Sequence, residues 1–454
     1  MKTKMRKTLS RTICAGLAAM LLCASCGKVE PSYEPVQVSA QPVSTEAPAA
    51  NAGGESGKTA VPAADKPIEK PSDMTLTGLA DFSAGLLKNN CGAEIKEGEN
   101  VLISPESVLM ALGMTANGAN GETLAQMEKV MLGEEDISKL NDAMRYLGQH
   151  NPETDGVKVN IANSIWANKE EGFSLKQSFA DTVKQLYGAE SFCVPFNDGQ
   201  TLDDINGWVS NNTNGMIPTI LDEIPPNTEL YLINAMAFEA EWYNEYEETD
   251  ILEGMNFTNF AGEEEQCSFL HSEEEQYFAD GSAQAFVKLY KGGNYAFMGI
   301  LPNEGVSVSD YIAGLDGEGW YKLWNSREYE TVDVLMPEFT YDYNSILNDG
   351  LKAMGMELPF TEAADFTGIA DYAHDYFYIN RVIHKTHIEV DRKGTKAAAA
   401  TAIEMKCEDA CLAVEEPKFI HLDRPFVYAI VDMETGFPVF LGAVNTTAKE
   451  TAHK

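Results

Sequence analysis

Few residues in this chain are of types and spacings that could do chemistry, and the clearest group lies in the segment HKTHIEV. Its His384, His387 and Glu389 are residue types that bind zinc. Alternation along a strand would place His384 and His387 on opposite faces, so they could not share one ion. The chain also has no G-x-S-x-G nucleophile motif, no Walker loop and no dinucleotide-binding glycine pattern. The sequence therefore predicts no metal site, no cofactor and no enzymatic activity.

The cysteines outside the N-terminal segment form no regular pattern. They are Cys91, Cys193, Cys267, Cys407 and Cys411. An odd number scattered through a large domain does not indicate a disulfide framework. The spacing of the last two would permit a small disulfide loop in an oxidising compartment, and the alternative is a pair of free thiols. The segment KCEDACL is thus a candidate redox switch, with both states open.

A run of very small residues, GTKAAAATAIEM, extends from Gly394 to Met405 between charged flanks. Alanine is the best helix former, so KAAAATAIEMKCEDACL taken alone favours a surface helix. Its place in the chain bears on that interpretation, because a strand-like RVIHKTHIEVD precedes it and an apolar hairpin follows it.

The elements around these residues are of mixed type. TLTGLADFSAGLLKNN has the apolar spacing of an amphipathic helix. VKVNIANSIWANK, from Val157 to Lys169, alternates as a strand does, and LYLINAMAFEAEW is a long apolar strand. The chain ends in PFVYAIVDMETGFPVFLGAVN, two apolar strands joined by a Glu-Thr-Gly turn. The sequence predicts an α+β domain, with helices concentrated in the N-terminal half and mixed sheets later.

The first 25 residues have the features of an export signal: a basic start, an apolar run and small residues. The sequence LLCASC resembles a bacterial lipobox, in which Cys26 is lipidated, although Cys23 stands where leucine is usual. Residues 26–72 are rich in Pro, Ala, Ser and Glu and predict a disordered tether before a domain at 73–449. We expect an exported protein, either a bacterial cell-surface lipoprotein or an extracellular protein, that contacts a membrane only through this anchor.

The charge of the chain limits its partners. The formal net charge is −37 over 454 residues. Binding of nucleic acid or heparin-like polyanions needs a dense surface of Lys and Arg. Neither class of partner is expected.

Six motifs occur in an order that resembles the serpin family, over residues 74 to 447. They are NVLISPESVLMALGMTANGANGETLAQM, INGWVSNNTNGMI, LINAMAFEAEW, MPEFTYDYNSILNDGLKAMGM with ADFTGI, HKTHIEVDRKGTKAAAATA and RPFVYAIVDMETGFPVFLGAVN. The resemblance implies the serpin fold with an exposed reactive-centre loop. It also implies a partner, a target serine protease or, as a second class, a cysteine protease.

The resemblance implies a mechanism with little conventional catalysis. The protease cleaves the loop and is held as an acyl-enzyme, and the N-terminal half of the loop inserts into a sheet as a new strand. The alternative is a non-inhibitory serpin that acts as a binding module or a cleavable substrate. Such members tend to have bulky or charged hinges, unlike this chain. An anchored hydrolase of another kind is disfavoured by the missing nucleophile motif.

In this resemblance the run of small residues is the hinge of the loop. The hinge residues are Gly394, Thr395, Ala397, Ala398, Ala399, Ala400 and Thr401. Gly394 supplies backbone freedom. In an inserted strand, alternation would turn Thr395, Ala397, Ala399 and Thr401 toward the core, and these four residues are all small. The charged Lys396 would face outward.

Two further groups are carried over from the family. Ser104, Ser107, Asn234 and His384 match the polar cluster called the shutter, which holds the opening sheet together. Trp242, Glu338 and Arg392 match the breach, where insertion begins. The charges of Glu338 and Arg392 are exchanged relative to the usual pattern, so we expect an inverted ion pair between their side chains.

The scissile bond follows from the same register. Counting forward from Gly394, as in common family members, gives Glu408 followed by Asp409. The distance to Pro425 is longer than in some relatives, so nearby bonds remain alternatives. The alternatives for the residue at the scissile bond are Met405, Lys406, Ala410 and Leu412.

Overall fold

The computed structural model describes residues 68–149, 156–169, 172–226, 228–373, 376–395 and 417–448. Its α-helices are α1 (Asp73–Glu97), α2 (Pro105–Ala116), α3 (Gly121–Leu132), α4 (Ile137–Gln149), α5 (Gln177–Tyr187), α6 (Gly199–Asn212), α7 (Val308–Gly314), α8 (Gly317–Asn325) and α9 (Asn348–Ala353). Short 3₁₀ helices lie at Glu248–Asp250 and Leu358–Phe360. Among the described residues, no helix is long and apolar enough to cross a membrane.

The strands fall in chain order as follows. The first eight are β1 (Val101–Ile103), β2 (Val157–Asn168), β3 (Phe173–Leu175), β4 (Glu190–Val194), β5 (Leu230–Glu241), β6 (Ile251–Thr258), β7 (Glu264–Ala279) and β8 (Ala283–Leu289). The next five are β9 (Tyr295–Pro302), β10 (Glu328–Pro337), β11 (Phe339–Ile346), β12 (Ala370–Tyr372) and β13 (Ile383–Val390). The last four are β14 (Gly394–Thr395), β15 (Lys418–His421), β16 (Phe426–Asp432) and β17 (Pro438–Val444).

These strands form two large sheets and one small one. The larger sheet has the order β1-β17-β16-β9-β8-β7-β10-β15, with β6 paired to β7. The second has the order β11-β13-β14-β5-β2-β4, and β12 pairs with β3. The predicted α+β class is confirmed, with helices mostly early in the chain and mixed sheets. The predicted terminal hairpin is present as β16 and β17, which pair antiparallel.

Helix α2 lies between the two large sheets, against β5 and β17. Ser104 caps its N-terminus by accepting the backbone N–H of Ser107, and Pro105 follows with a backbone already suited to a helix start. Nearly every residue of α2 is buried, in keeping with its apolar sequence. The start of this helix is thereby fixed beneath the second sheet.

Helix α1 extends further than its sequence pattern suggests. The apolar spacing covers TLTGLADFSAGLLKNN, and the structure continues the helix to Glu97. The helix ends where Gly98 takes a left-handed conformation, with φ of 89°, and its N–H reaches the carbonyls of Glu94 and Ile95. Buried Cys91 and Ile95 in the added turns explain the extra length, because they pack into the core.

Candidate functional site

A gap interrupts the second sheet between β5 and β13. Within the described residues, these two strands are joined only at one end, through the two-residue strand β14. Below that join is a cavity of about 800 Å³. It is lined on one side by β5 between Leu230 and Met236, on the other side by β13 between Ile383 and Thr386, and at its base by α2. We call this gap the slot. It has the position and direction that an additional strand would need.

The hinge begins at the closed end of the slot. Gly394 lies opposite Glu241 and Thr395 lies opposite Ala240 on β5. A Cβ atom on residue 394 would be 2.0 Å from the carbonyl oxygen of Ala240. Only glycine permits so close an approach of the two backbones. The glycine predicted as the hinge is thus required by contact with the neighbouring strand.

Thr395 is seated in the core. Its side chain is buried, and its Oγ1 lies 2.7 Å from the hydroxyl of Tyr290. The ring of Tyr290 stacks on Trp242, with centroids 4.6 Å apart and planes 8° apart. The indole N–H of Trp242 in turn donates to the carbonyl of Asp391, just before the hinge, at 2.8 Å. Trp242, which was predicted for this region, therefore helps to hold Thr395 in place at the closed end of the slot.

The four predicted shutter residues form two contacts, one on each side of the slot. The backbone N–H of Ser104 donates to Nε2 of His384 on β13 at 3.0 Å. The hydroxyl of Ser107 donates to Oδ1 of Asn234 on β5. Both serines belong to the start of α2, so this helix end is tied to both strands that border the slot. We call these four residues the gate.

The protonation state of His384 follows from its surroundings. Burial lowers its pKa to about 4, so the ring is neutral at neutral pH. A backbone N–H can only donate, so Nε2 must accept and the ring proton must be on Nδ1. The ring is thus a neutral acceptor for the start of α2.

The predicted side-chain ion pair between Glu338 and Arg392 is wrong. The guanidinium of Arg392 pairs instead with Glu248 at 3.3 Å, and both side chains are largely exposed. The carboxylate of Glu338 accepts the backbone N–H of Arg392. Partial burial raises the pKa of Glu338, against that hydrogen bond and the charge of Arg392. The two residues are neighbours, but a backbone contact joins them because the long Arg392 side chain turns to solvent.

Three residues near the gate and the breach were not predicted. Asn163 accepts the amide of Asn234 at 2.8 Å and extends the gate to β2. Tyr290 is the seat of Thr395. Lys288 is buried, pairs with Glu274 at 2.9 Å and lies 4.3 Å from the ring centre of Tyr246. A lysine within the apolar strand AFVKLY was the available signal, because such a residue needs a buried partner.

The remaining predicted residues lie outside the described part of the chain. They are Ala397, Ala398, Ala399, Ala400, Thr401, Met405, Lys406, Cys407, Glu408, Asp409, Ala410, Cys411, Leu412 and Cys26. The export signal and most of the tether are outside it as well. In the described ranges, no group of three or more His, Cys, Asp or Glu side chains is arranged to hold a metal ion.

Comparison with known proteins gives one family. The family model described as Serpin (serine protease inhibitor) matches residues 77–447. An uncharacterized serpin-like protein of Thermococcus kodakarensis is 32% identical over 380 residues, which cover 82% of this chain and 85% of that protein. The crystal structure of the thermophilic serpin tengpin in its native state is similar, with a TM-score of 0.76, 38% identity and 83% of this chain and 95% of that chain covered. Tengpin in its latent state gives a TM-score of 0.73 at 38% identity, over 83% and 99% of the two chains.

Proposed function

The chain belongs to the serpin family, and we propose that it inhibits a serine protease as a suicide substrate. The observation that carries this proposal is the slot between β5 and β13, closed at one end by Gly394 and Thr395. A strand that filled the slot would have to continue directly from Thr395. The residues that continue from it are the run of small residues, KAAAATA.

The proposed reaction uses the catalytic groups of the protease. Its serine oxygen attacks the carbonyl carbon of Glu408, the first candidate for the scissile residue, while the protease histidine takes the serine proton. The bond from that carbon to the nitrogen of Asp409 breaks, and the histidine returns the proton to the leaving amine. The product is an ester between the protease and the new end of the loop. Insertion of the loop must then be faster than hydrolysis of this ester.

The register at Thr395 supports insertion along the whole slot. Thr395 pairs antiparallel with Ala240, so each further residue would advance one position along β5, and Met405 would lie opposite Leu230. Thr395 faces the core, and alternation would turn Ala397, Ala399 and Thr401 the same way. Their small size would let them pass over α2 without displacing it. Lys396 would face solvent.

Insertion also requires the gate to exchange its contacts. Ser104 and Ser107 tie the start of α2 to β13 and to β5, respectively. A new strand would supply backbone hydrogen bonds to both of these strands along the slot. Breaking the hydrogen bonds of buried polar groups costs free energy unless each group finds a new partner. The gate would therefore oppose opening of the slot until an inserted strand supplies those partners. The uncleaved loop would meet this barrier, and the cleaved loop would cross it.

One experiment separates the inhibitory function from its alternative. The full chain is mixed with trypsin-like, chymotrypsin-like, elastase-like and Glu-specific serine proteases and analysed on a denaturing gel. The proposal expects a covalent complex with at least one of them, and mass spectrometry of the released C-terminal fragment would identify the bond among Met405 to Leu412. Complete cleavage of the loop with no complex would indicate the non-inhibitory alternative.

We also propose that the chain is exported and anchored through Cys26. The basic start, apolar run and small residues before this cysteine support the proposal. A lipid on Cys26 followed by the Pro-rich tether would let the domain project from the cell surface. Metabolic labelling with a fatty acid should mark the wild-type chain and fail to mark Cys26→Ala. Release of unlabelled wild-type chain into the medium would contradict the anchor.

A further inference from the structure

A row of charged side chains borders the slot on the face of the second sheet that is turned away from α2. Lys158 on β2 lies opposite Glu239 on β5, and their side chains form an ion pair at 3.7 Å. Glu389 on β13 lies level with Glu239 across the slot, because Thr395 pairs with the residue next to each of them. The structure therefore places two carboxylates on either side of the strand position that follows Thr395.

The two glutamates face the same side of the sheet. Their neighbours Ala240 and Val390 are buried, whereas Glu239 and Glu389 are partly exposed, as alternation along a strand requires. With strands about 4.8 Å apart, the backbones of the two glutamates would be about 10 Å apart when one strand lies between them. On its other side Glu389 lies opposite Thr340 of β11, which carries no charge. A cation between the two glutamates would thus be attracted by both carboxylates.

The chain supplies a cation for this position. Lys396 follows Thr395 directly, so a strand that continued in the observed register would bring it opposite Glu239 on one side and Glu389 on the other. With Lys158 it would complete a row of alternating charge across four adjacent strands. Opposite charges on directly opposed residues stabilise a sheet, and like charges destabilise it. The charges bordering the slot therefore suit the residue that would enter after Thr395.

The other end of the slot has a matching pattern. In the same register Glu404 would lie opposite Arg381, which precedes β13, and Lys406 would lie opposite Glu229, which precedes β5. Both loop residues would face outward, as Lys396 would. A slip of two residues keeps that face outward, but it would bring Glu404 to Glu229 or Lys406 to Arg381, which are pairs of like charge. The charges along the slot therefore favour one register.

We propose that Glu239 and Glu389 form a docking site for the ammonium group of Lys396, which is occupied when the loop inserts and stabilises the inserted strand in this register. This inference rests on the proposed function, since the occupant is a segment of the same loop. Lys396 would be the first charged residue to enter the slot, so its two ion pairs would form at the first step of insertion. Because both carboxylates are partly exposed, solvent weakens each pair, and the combined effect is moderate.

Unfolding of the loop-cleaved chain tests this site without a trapped protease. A metalloprotease, which forms no serine ester, cuts the loop of the full chain, and a product cut after Lys406 is selected by mass spectrometry. At a fixed high temperature in low salt, cleaved Lys396→Gln should unfold about fivefold faster than cleaved wild type. Glu389→Gln should unfold about twofold faster, with little further effect in the Lys396→Gln background. The fivefold difference should shrink in about 0.5 M salt.

Two control variants accompany this measurement. Lys396→Arg keeps the charge and should unfold at the wild-type rate. Lys385→Gln breaks the pair with Asp222 at 3.6 Å on the same face of β13, but its position is opposite Ala400, so it should change the rates of cleaved and uncleaved chains by the same factor.

The outcomes separate the docking site from insertion itself. A cleaved chain that unfolds much more slowly than the uncleaved one, at a rate that Lys396→Gln does not change, would overturn the docking site and leave insertion intact. Equal effects of Lys396→Gln on the cleaved and uncleaved chains would also overturn it. A cleaved chain that unfolds as fast as the uncleaved one would contradict insertion, and the docking site with it.

Discussion

The hydroxyl of Tyr290 and Oγ1 of Thr395 lie 2.7 Å apart in the core, at the closed end of the slot between β5 and β13. Thr395 is the first loop residue whose side chain faces inward, and it already pairs with Ala240 as an inserted strand would. The ring of Trp242 stacks on the ring of Tyr290. In the proposed insertion, this pairing of Thr395 with Ala240 would fix the register of the residues that follow.

Tyr290→Phe should lower stability by removing one partner of a buried pair. The hydroxyl of Thr395 would be left without its partner, at an expected loss of about 1–2 kcal/mol in the free energy of unfolding. Thr395→Val should behave similarly. The double variant should lose about 1 kcal/mol less than the two single losses combined, because the second change removes the group that the first left unpaired. Urea unfolding of the four chains measures this, and strictly additive losses would mean that the contact contributes nothing.

His384 should make the chain sensitive to mild acid. Its folded pKa of about 4 is below the ordinary 6.5, so the unfolded chain binds this proton more tightly. The stability that depends on the neutral ring is complete above about pH 6.5 and is lost as the pH falls toward 4, by up to roughly 3 kcal/mol. His384→Gln keeps an acceptor for Ser104 and removes the titration. The difference in unfolding free energy between variant and wild type should therefore shift in favour of the variant between pH 6.5 and 4, and a constant difference would contradict this account.

Glu106 should have the opposite dependence on pH. Its side chain is buried near the start of α2, its Oε1 has no hydrogen-bond partner, and burial followed by repulsion from Asp432 raises its pKa to about 8. The folded state holds this proton more tightly than the unfolded state, so the stability linked to it is greatest below about pH 4.5 and is lost as the pH rises through 8.

Glu106→Gln removes this titration. The variant should gain on the wild type as the pH rises from 5 to 8, by roughly 2–4 kcal/mol at pH 8. Glu122→Gln is a suitable control, because Glu122 is exposed in the first turn of α3. If the unfolding free energies of both variants change with pH as that of the wild type does, the pKa of Glu106 is not raised in the folded state.

Arg392 should matter little to stability. Its pair with Glu248 is largely exposed, and pairs of this kind contribute about 0–1 kcal/mol. Arg392→Gln keeps the backbone N–H that Glu338 accepts. The free energy of unfolding, measured by urea unfolding, should therefore change by less than about 0.5 kcal/mol. A loss well above 1 kcal/mol would mean that the guanidinium has a second role at the breach.

Much of the site could be predicted from residue order. The positions of Gly394, Ser104 and His384 within serpin-like motifs indicated one region, and the structure brings these residues to the slot and to the start of α2. The strand Val157–Asn168 and the terminal hairpin followed from alternation and turn residues, which are local signals.

Other features depend on contacts between distant residues. Tyr290 belongs to an ordinary apolar strand and gains its role only because that strand meets the hinge in space. Arg392 was expected to pair with Glu338, but neither sequence position reveals that an exposed Glu248 lies within reach of the long side chain. The row of Lys158, Glu239 and Glu389 likewise arises from three strands far apart in the chain.

We propose that the residues after Thr395 insert as a strand, with alternate side chains facing the core. The most direct test is the number of inhibitor molecules consumed per protease molecule trapped, for wild type, Ala399→Arg and Ala398→Arg. Ala399 would face inward and Ala398 outward, so only Ala399→Arg would bury a charge. We expect Ala399→Arg to be cleaved as a substrate with little complex formed, and Ala398→Arg to trap the protease nearly as well as wild type. Equal trapping by the two variants would contradict insertion in this register.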